Sequence, residues 1–321
     1  MYIKRLIIIL LITYAAALAT GFIFDKRYKK RLQLSYFDKM ELLLSGKPDY
    51  DIVFFGNSRT HFGLNPYYID SITGLQSYNF GMGGSDTEEM LLFATLYFAH
   101  HKAPKYALLS IDASSVLKPD RLKDRYSNLF FLDNDTIFSY MKRAGFNTTL
   151  IKYQPFFKYS FFDEYSRSSI FLNQQQVQKF DHNIYKGFAN THKELTLDTV
   201  NWGKTKVFDP VFKITGEEKI NDTAVSNLKK IAELFLQKGS KVIFLHPPGI
   251  KPAKINRRAF SNSVDSIFNE ISKMYGIPVY DVNDTYKFPK KYFSDESHLN
   301  EPGTKIFSRL IGHYLDSLNR K

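Results

Sequence analysis

Five short apolar runs punctuate this chain, and between them apolar residues recur at every third or fourth position. The run Ile52-Val-Phe-Phe55 ends abruptly in Gly56, Asn57 and Ser58. A β-branched and aromatic run of that length, closed by Gly-Asn, suits a parallel strand covered on both faces. Residues 76–81, 106–111, 241–245 and 277–280 read as four further strands. Helical spacing links Val225, Leu228, Ile231, Ala232 and Phe235, with Gly239 as the stop. It also links Val264, Ile267, Phe268, Ile271 and Met274, which stop at Gly276, and then Ile306, Leu310, Ile311, Tyr314 and Leu318. Residues 90–99 form a further apolar helix. The pattern predicts capping boxes at Ser85 with Glu88 and at Thr215 with Glu218, and a cap at Asn300. Strands alternating with helices imply an α/β fold: a three-layer α/β/α sandwich on a mostly parallel, about five-stranded sheet.

Residues 6–24 carry no charge and follow Lys4 and Arg5. A helix of that length matches the hydrocarbon core of a bilayer. Ala15, Ala17 and Ala19 would suit a signal-peptide cleavage site, but the apolar run continues through Phe22, Ile23 and Phe24, which favours an uncleaved anchor. The basic flank Lys26, Arg27, Lys29, Lys30 and Arg31 outnumbers the two basic residues before the span, and by charge alone it argues for a cytoplasmic body. A short basic head before an apolar core is also how exported chains begin. The reading taken is export, with the basic flank on anionic headgroups. Residues 1–31 are thus an anchor with its flank, and 32–321 the α/β domain.

Composition narrows the partners. The 321 residues include 44 Lys and Arg against 32 Asp and Glu, a net charge of +12 that favours acidic partners. The basic residues are dispersed and accompany no nucleic-acid-binding motif, so nucleic acid is not expected. Cysteine is absent, which excludes disulfides and thiolate metal sites. The chain holds 29 Phe and 21 Tyr, and residues 117–213 form an aromatic and basic region without clear periodicity. That region reads as an insertion, either a stabilising cover or a lid over the substrate pocket.

The chemistry-bearing residues lie at the ends of these elements. Ser58 follows the first strand, at the sheet edge where open α/β folds place their ligands. Gly83 and Gly84 lie at a strand-to-helix turn, where backbone amides point outward. Asp295 and His298 stand three apart before the last helix, and a carboxylate there can fix the imidazole tautomer and stabilise its protonated form. Arg59 suits either an anionic substrate or a structural ion pair. His61 lacks a partnering acid and ranks second to His298 as a base. His246, before Pro247 and Pro248, borders the pocket, and Asp112 is a strand-end residue. The spacing of His246, Asp295 and His298 does not favour a zinc site.

The order of these blocks resembles the SGNH, or GDSL-like, hydrolase family: G-x-S in Gly56-Asn57-Ser58, N-x-G-x-x-G in Asn79 to Gly84, and D-x-x-H in Asp295 to His298. The resemblance covers about residues 48–115 and 215–321. It implies a Ser58 nucleophile, a His298 base oriented by Asp295, and an oxyanion hole from the Ser58 and Gly84 amides, with no cofactor. Asn57, Arg59, Asp112 and His246 are the candidate substrate-binding residues. The family's third block supplies an asparagine in G-x-N-D, whereas this chain has Ser110-Ile-Asp112-Ala-Ser114-Ser115. Ser110, Ser114 and Asn57 are the candidate replacements. The anchor, the Ser-Arg pair and the His-Pro-Pro loop are similar to membrane-anchored relatives of alginate O-acetylation and teichoic-acid D-alanylation. The resemblance implies an extracytoplasmic serine esterase or O-acyltransferase acting on acylated cell-envelope glycans. The alternative is a degenerate domain serving an integral-membrane acyltransferase as scaffold or glycan-binding partner.

Overall fold

The computed structural model describes residues 2–32, 35–112, 115–116, 125–161, 186–189, 220–249, 255–295 and 297–320. The chain divides into two compact units, Met1–Asp38 with Leu122–Phe180 and Lys39–Arg121 with Asp181–Lys321.

The first unit begins with α1, Tyr2–Leu32. Within it, Tyr2–Arg27 is long and apolar enough to cross a membrane, a property that a signal sequence shares. The helix α2, Ser35–Ser45, crosses the boundary between the units.

The second unit holds the sheet. In chain order its elements are β1 (Ile52–Phe55), α3 (Ser58–Gly63), α4 (Pro66–Thr73), β2 (Ser77–Asn79), α5 (Thr87–His100) and β3 (Tyr106–Ser110). Before the chain returns to this sheet, α6 (Asp135–Arg143) and α7 (Thr148–Tyr153) belong to the first unit, with a 3₁₀ turn on either side of them, Arg125–Phe130 and Phe157–Phe161. The second unit then continues with α8 (Asp222–Gln237), β4 (Lys241–His246), α9 (Ile255–Tyr275), β5 (Val279–Asp281), the single turn α10 (Val282–Thr285) and α11 (Glu301–Asn319).

All four strand pairings are parallel, in the order β2-β1-β3-β4-β5. The register sets Phe54 beside Asn79 and Leu108, Leu109 beside Phe244, and His246 beside Asp281. From β1 the chain first adds β2 on one side and then β3 on the other, so the crevice at the carboxyl ends of β1 and β3 is the topological switch point.

Alternation along each strand feeds two cores. Ile52 and Phe54 join Leu108, Ile243 and Leu245 on the face covered by Ile69 of α4 and by Phe307, Ile311 and Leu315 of α11. Phe55 points the other way, its ring 5.3 Å from Phe80, 6.4 Å from Tyr97 of α5 and 5.3 Å from Phe235 of α8. Both faces are therefore helix-covered, which is why β1 is a continuous apolar run.

One helix start corrects an expectation. α5 is capped by Asp86, whose Oδ1 accepts from the Glu88 and Glu89 amides, so Ser85 stands one residue before the cap. Thr215 and Glu218 lie outside the described residues, and α8 starts instead from Asn221, which accepts from the Thr223 and Ala224 amides. Asn300 caps α11 as expected, accepting from the Gly303 amide at 3.1 Å. Most of the expected insertion also lies outside the described residues. Residues 125–161 of it belong to the unit that contains α1.

Candidate active site

Ser58 is the first residue of α3, reached from β1 through Gly56 and Asn57. Gly56 is required by close approach, because a Cβ there would overlap the Thr60 hydroxyl and lie 2.8 Å from the Ser110 side chain. Asn57 caps α3, its side-chain oxygen accepting from the Arg59 amide at 3.0 Å. The turn that carries Ser58 is thus closed over the end of the sheet by packing and by a cap together.

The Asp295 to His298 loop is built as a carboxylate nest. Asp295 Oδ1 accepts the backbone amides of Ser297 at 2.7 Å and His298 at 2.8 Å, and Oδ2 accepts His298 Nδ1 at 2.7 Å. The loop is pinned where the Ser294 amide donates to the His298 carbonyl and the Asn300 amide to the Tyr292 carbonyl. α11 carries the loop to α3: Thr304 Oγ1 donates to the Phe62 carbonyl at 3.0 Å, and the Asn65 amide to Ser308 Oγ at 2.9 Å. Ser58 Oγ then lies 2.8 Å from His298 Nε2, across 240 positions of sequence.

The electrostatics set the proton positions. Burial pushes the Asp295 carboxyl up, but the His298 hydrogen bond and charge, with the Ser297 and His298 amides, outweigh it and hold the group below the usual carboxylate range. Ionised Asp295 takes the Nδ1–H of His298, which leaves Nε2 to accept from the Ser58 hydroxyl. The His298 and Asp295 side chains are 23% and 33% exposed, so this line of three groups is open to a substrate. Such an arrangement can raise a serine hydroxyl to a nucleophile.

The glycine turn after β2 is docked on α3. Asn79 Nδ2 donates to the Thr60 and Leu64 carbonyls at 2.8 and 2.7 Å, its Oδ1 accepts the Gly81 amide at 2.9 Å, and the Met82 amide donates to the Gly56 carbonyl at 3.0 Å. Gly81 lies so close to α3 that a Cβ there would sit 2.7 Å from the Thr60 side chain. Gly84 has φ +77, a left-handed conformation that favours glycine. The Gly81 carbonyl accepts from Lys39 Nζ, a fully buried ammonium whose pKa burial pulls well below the ordinary lysine value. Lys39 was missed in the sequence. Its signal was there, since it shares a face of α2 with the buried Tyr36 and Leu43.

The remaining candidates have structural partners. Arg59 Nη1 pairs with Asp112 Oδ2 at 3.3 Å, and Nη2 donates to the Pro247 carbonyl at 3.0 Å and to the Pro248 carbonyl. Asn57 Nδ2 donates to the same Asp112 oxygen at 3.0 Å, while Asp112 Oδ1 accepts the Ser115 amide at 3.1 Å. One guanidinium therefore ties together the loops that follow β1, β3 and β4. Asp112, which the resemblance sets against the third-block asparagine, is held in this ion pair. Ser110 is buried at the end of β3, and Ser114 lies outside the described residues. His246 sets its ring 5.7 Å from Phe268 of α9.

His61 is buried, with both ring nitrogens unpartnered among the described residues, and its ring stacks on Phe62 at 4.7 Å. Burial first, then Lys39 and His298, pull its pKa well below the ordinary histidine value. Among the described residues, no group of three or more His, Asp or Glu side chains is arranged to hold a metal ion.

No family model matches this chain, and no curated protein matches it. Solved structures with similar chain paths include a lipase/acylhydrolase from Enterococcus faecalis, 15% identical, covering 83% of this chain and 95% of that one with a TM-score of 0.39. A GDSL-like lipase from Bacteroides thetaiotaomicron is 12% identical, covering 92% and 99% with a TM-score of 0.39. A carbohydrate acetylesterase from Sinorhizobium meliloti is 10% identical, covering 83% and 98% with a TM-score of 0.38. Scores of this size leave the activity to be argued from the site.

Proposed function

We propose that this chain is an SGNH-type serine esterase or O-acyltransferase acting on acylated cell-envelope glycans. The observation that carries the reading is the continuous line from Asp295 through His298 to Ser58, with hydrogen bonds of 2.7 and 2.8 Å. Ser58 Oγ attacks an ester carbonyl while His298 Nε2 takes its proton. The tetrahedral oxyanion rests on the Ser58 and Gly84 amides. His298 returns the proton to the departing alcohol, leaving an acyl-Ser58. Water, or a sugar hydroxyl in a transferase, then attacks with His298 again as base. Arg59 and Asp112 hold the nucleophile loop, and His246 stands at the end of β4 beside the crevice.

Envelope glycans are the favoured substrate because the apolar Tyr2–Arg27 helix and the basic residues after it suit a chain anchored at a membrane with its catalytic unit on the extracytoplasmic side. Acetyl is the acyl group to test first. The full chain in detergent should hydrolyse an activated acetyl ester and be labelled by a serine-directed fluorophosphonate, and Ser58→Ala should abolish both. Equal turnover by the variant would remove Ser58 as the nucleophile. Product analysis with a glycan acceptor separates transfer from hydrolysis.

A second reading has its own observation. Asp112 replaces an amide donor by a carboxylate, and a lost oxyanion donor costs on the order of 10² to 10³ in rate. The domain would then serve as scaffold or glycan-binding partner of an integral-membrane acyltransferase, and the unmodified chain would stay unlabelled by fluorophosphonate.

A further inference from the structure

In the unit that contains α1, the segment from α7 through the 3₁₀ turn Phe157–Phe161 runs alongside the apolar helix. Tyr14 donates its hydroxyl to the Tyr153 carbonyl. Farther along α1, Gly21 faces Pro155, a Cβ built on the glycine lying 3.7 Å from the proline ring. Next, the Phe24 ring meets Phe156 edge-on at 5.4 Å. At the end, Asp25 takes Lys158 Nζ at 2.6 Å and the Tyr159 hydroxyl at 2.8 Å. The segment therefore tracks α1 in register from residue 14 to residue 25.

We infer that this segment is a second membrane element, lying in the lipid beside α1 with Leu150, Tyr153, Phe156 and Phe157 among the acyl chains and the Asp25–Lys158 pair at the water boundary. The inference rests on reading residues 6–24 as a membrane span.

The first support is length. A span needs about 20 residues, and residues 2–13 alone would cover only about 18 Å of a core about 30 Å thick. A span of ordinary length must include Tyr14 to Phe24, the stretch on which the segment lies. Asp25 is the first charged residue after Arg5, which places it at the boundary. Tyr14 lies eleven residues before it, about 16 Å along the helix.

The second support is surface chemistry. Leu150, Tyr153, Phe156 and Phe157 are 39%, 56%, 38% and 39% exposed, on the same unit as the exposed apolar residues of α1. Exposed apolar residues grouped in this way mark a membrane or partner interface, and the contacts of the segment with the span commit it to lipid. Lys152, the cation among them, has its ammonium paired with Asp133 at 3.0 Å and donating to the Leu132 carbonyl at 3.4 Å, 5.7 Å from the centre of the Tyr153 ring.

The third support is the backbone, whose polar groups must be satisfied in lipid. The Gln154 amide donates to Leu150, the Phe157 amide to Gln154 and the Tyr159 amide to Phe156, while Pro155 has no N–H. The Tyr153 carbonyl is taken by Tyr14 and the Phe157 carbonyl by Ser160 Oγ at 2.7 Å. Phe156 holds φ +66, a strained value for a non-glycine residue, and its ring is fixed there by Phe24.

The chain has no cysteine, so single cysteines placed at Tyr153, Phe157 and, as a reference within the span, Ile9 can each carry one spin label. The full-length variants Tyr153→Cys, Phe157→Cys and Ile9→Cys, reconstituted in phosphatidylglycerol–phosphatidylethanolamine vesicles, are compared for collision with oxygen, which concentrates in lipid, and with a water-soluble nickel chelate. All three positions are expected to be rich in oxygen collisions and poor in nickel collisions. If Ile9 shows this pattern while 153 and 157 collide with nickel, the inference is overturned and the span stands. If Ile9 also collides with nickel, both fall. Low collision with both agents at 153 and 157 would mean that protein, rather than lipid, covers the segment, which also overturns it.

Discussion

At the scale of single residues, Asp295 and Lys39 do different work around one serine. Asp295 is kept ionised by the groups that it orients, so replacing it with asparagine removes both the lock on the His298 tautomer and the stabilisation of the imidazolium. Asp295→Asn should lower ester turnover by on the order of 10³ to 10⁴ while leaving the fold intact. Its pH signature has a definite sign. A carboxyl with a depressed folded-state pKa contributes stability above its unfolded value near 4, and this is lost as pH falls through the folded value. Acid unfolding followed by circular dichroism should therefore be steeper below about pH 4 in the parent than in Asp295→Asn.

Lys39 is the converse case. Burial lowers its pKa, so between the folded value and the unfolded value near 10.4 the unfolded chain binds more protons and stability rises with pH. Lys39→Met should remove that slope in thermal unfolding measured across this range. It should also cut turnover by freeing the Gly81 carbonyl that anchors the glycine turn. An unchanged pH slope would show that Lys39 is not the buried titrating group.

At the scale of elements, β1 is the central piece, because its alternate side chains feed both cores and its carboxyl end carries Ser58. Phe54 is fully buried among β3, β4 and the helices α4 and α11, and Phe54→Ala should cost roughly 3 to 5 kcal/mol in denaturant titration. Phe54, Gly56 and Ser58 belong to one short stretch, so damage to the core there should also reduce Ser58 labelling in the fraction that remains folded.

The elements themselves were legible because their signals are local. A continuous apolar run means a strand covered on two faces, and 3.6-residue spacing means an amphipathic helix. Strand ends drifted by one or two residues, and one cap was misplaced. Several polar residues competed for each helix start, and the choice fell to whichever side chain the preceding turn aimed at the free amides. Asp86 won over Ser85 in this way, at a position where either residue type is a good cap.

At the scale of the molecule, α1 and residues 122–180 form one unit and the sheet with its helices another. The sequence suggested a domain bearing an insertion, but distant segments of one chain can share a unit that no local pattern announces. If residues 6–24 anchor the protein, the full chain expressed in bacteria should stay in the membrane pellet after alkaline carbonate extraction. A chain released into the supernatant would instead have a cleaved leader or a peripheral association.

The hydrophobic pattern by itself determined the class of fold, the apolar amino-terminal helix and the order in which serine, glycine turn and Asp-His pair follow one another, since each of these is written within a few neighbouring residues. Only the tertiary structure decided that Ser58 meets His298 across 240 positions, that Arg59 is committed to Asp112 and two proline carbonyls, and that a lysine lies buried under the glycine turn. Those contacts depend on the parallel sheet bringing the ends of β1, β3 and β4 to one edge and on α11 packing against α3 and α4, and side-chain partners separated by so much chain are set by packing rather than by local propensity.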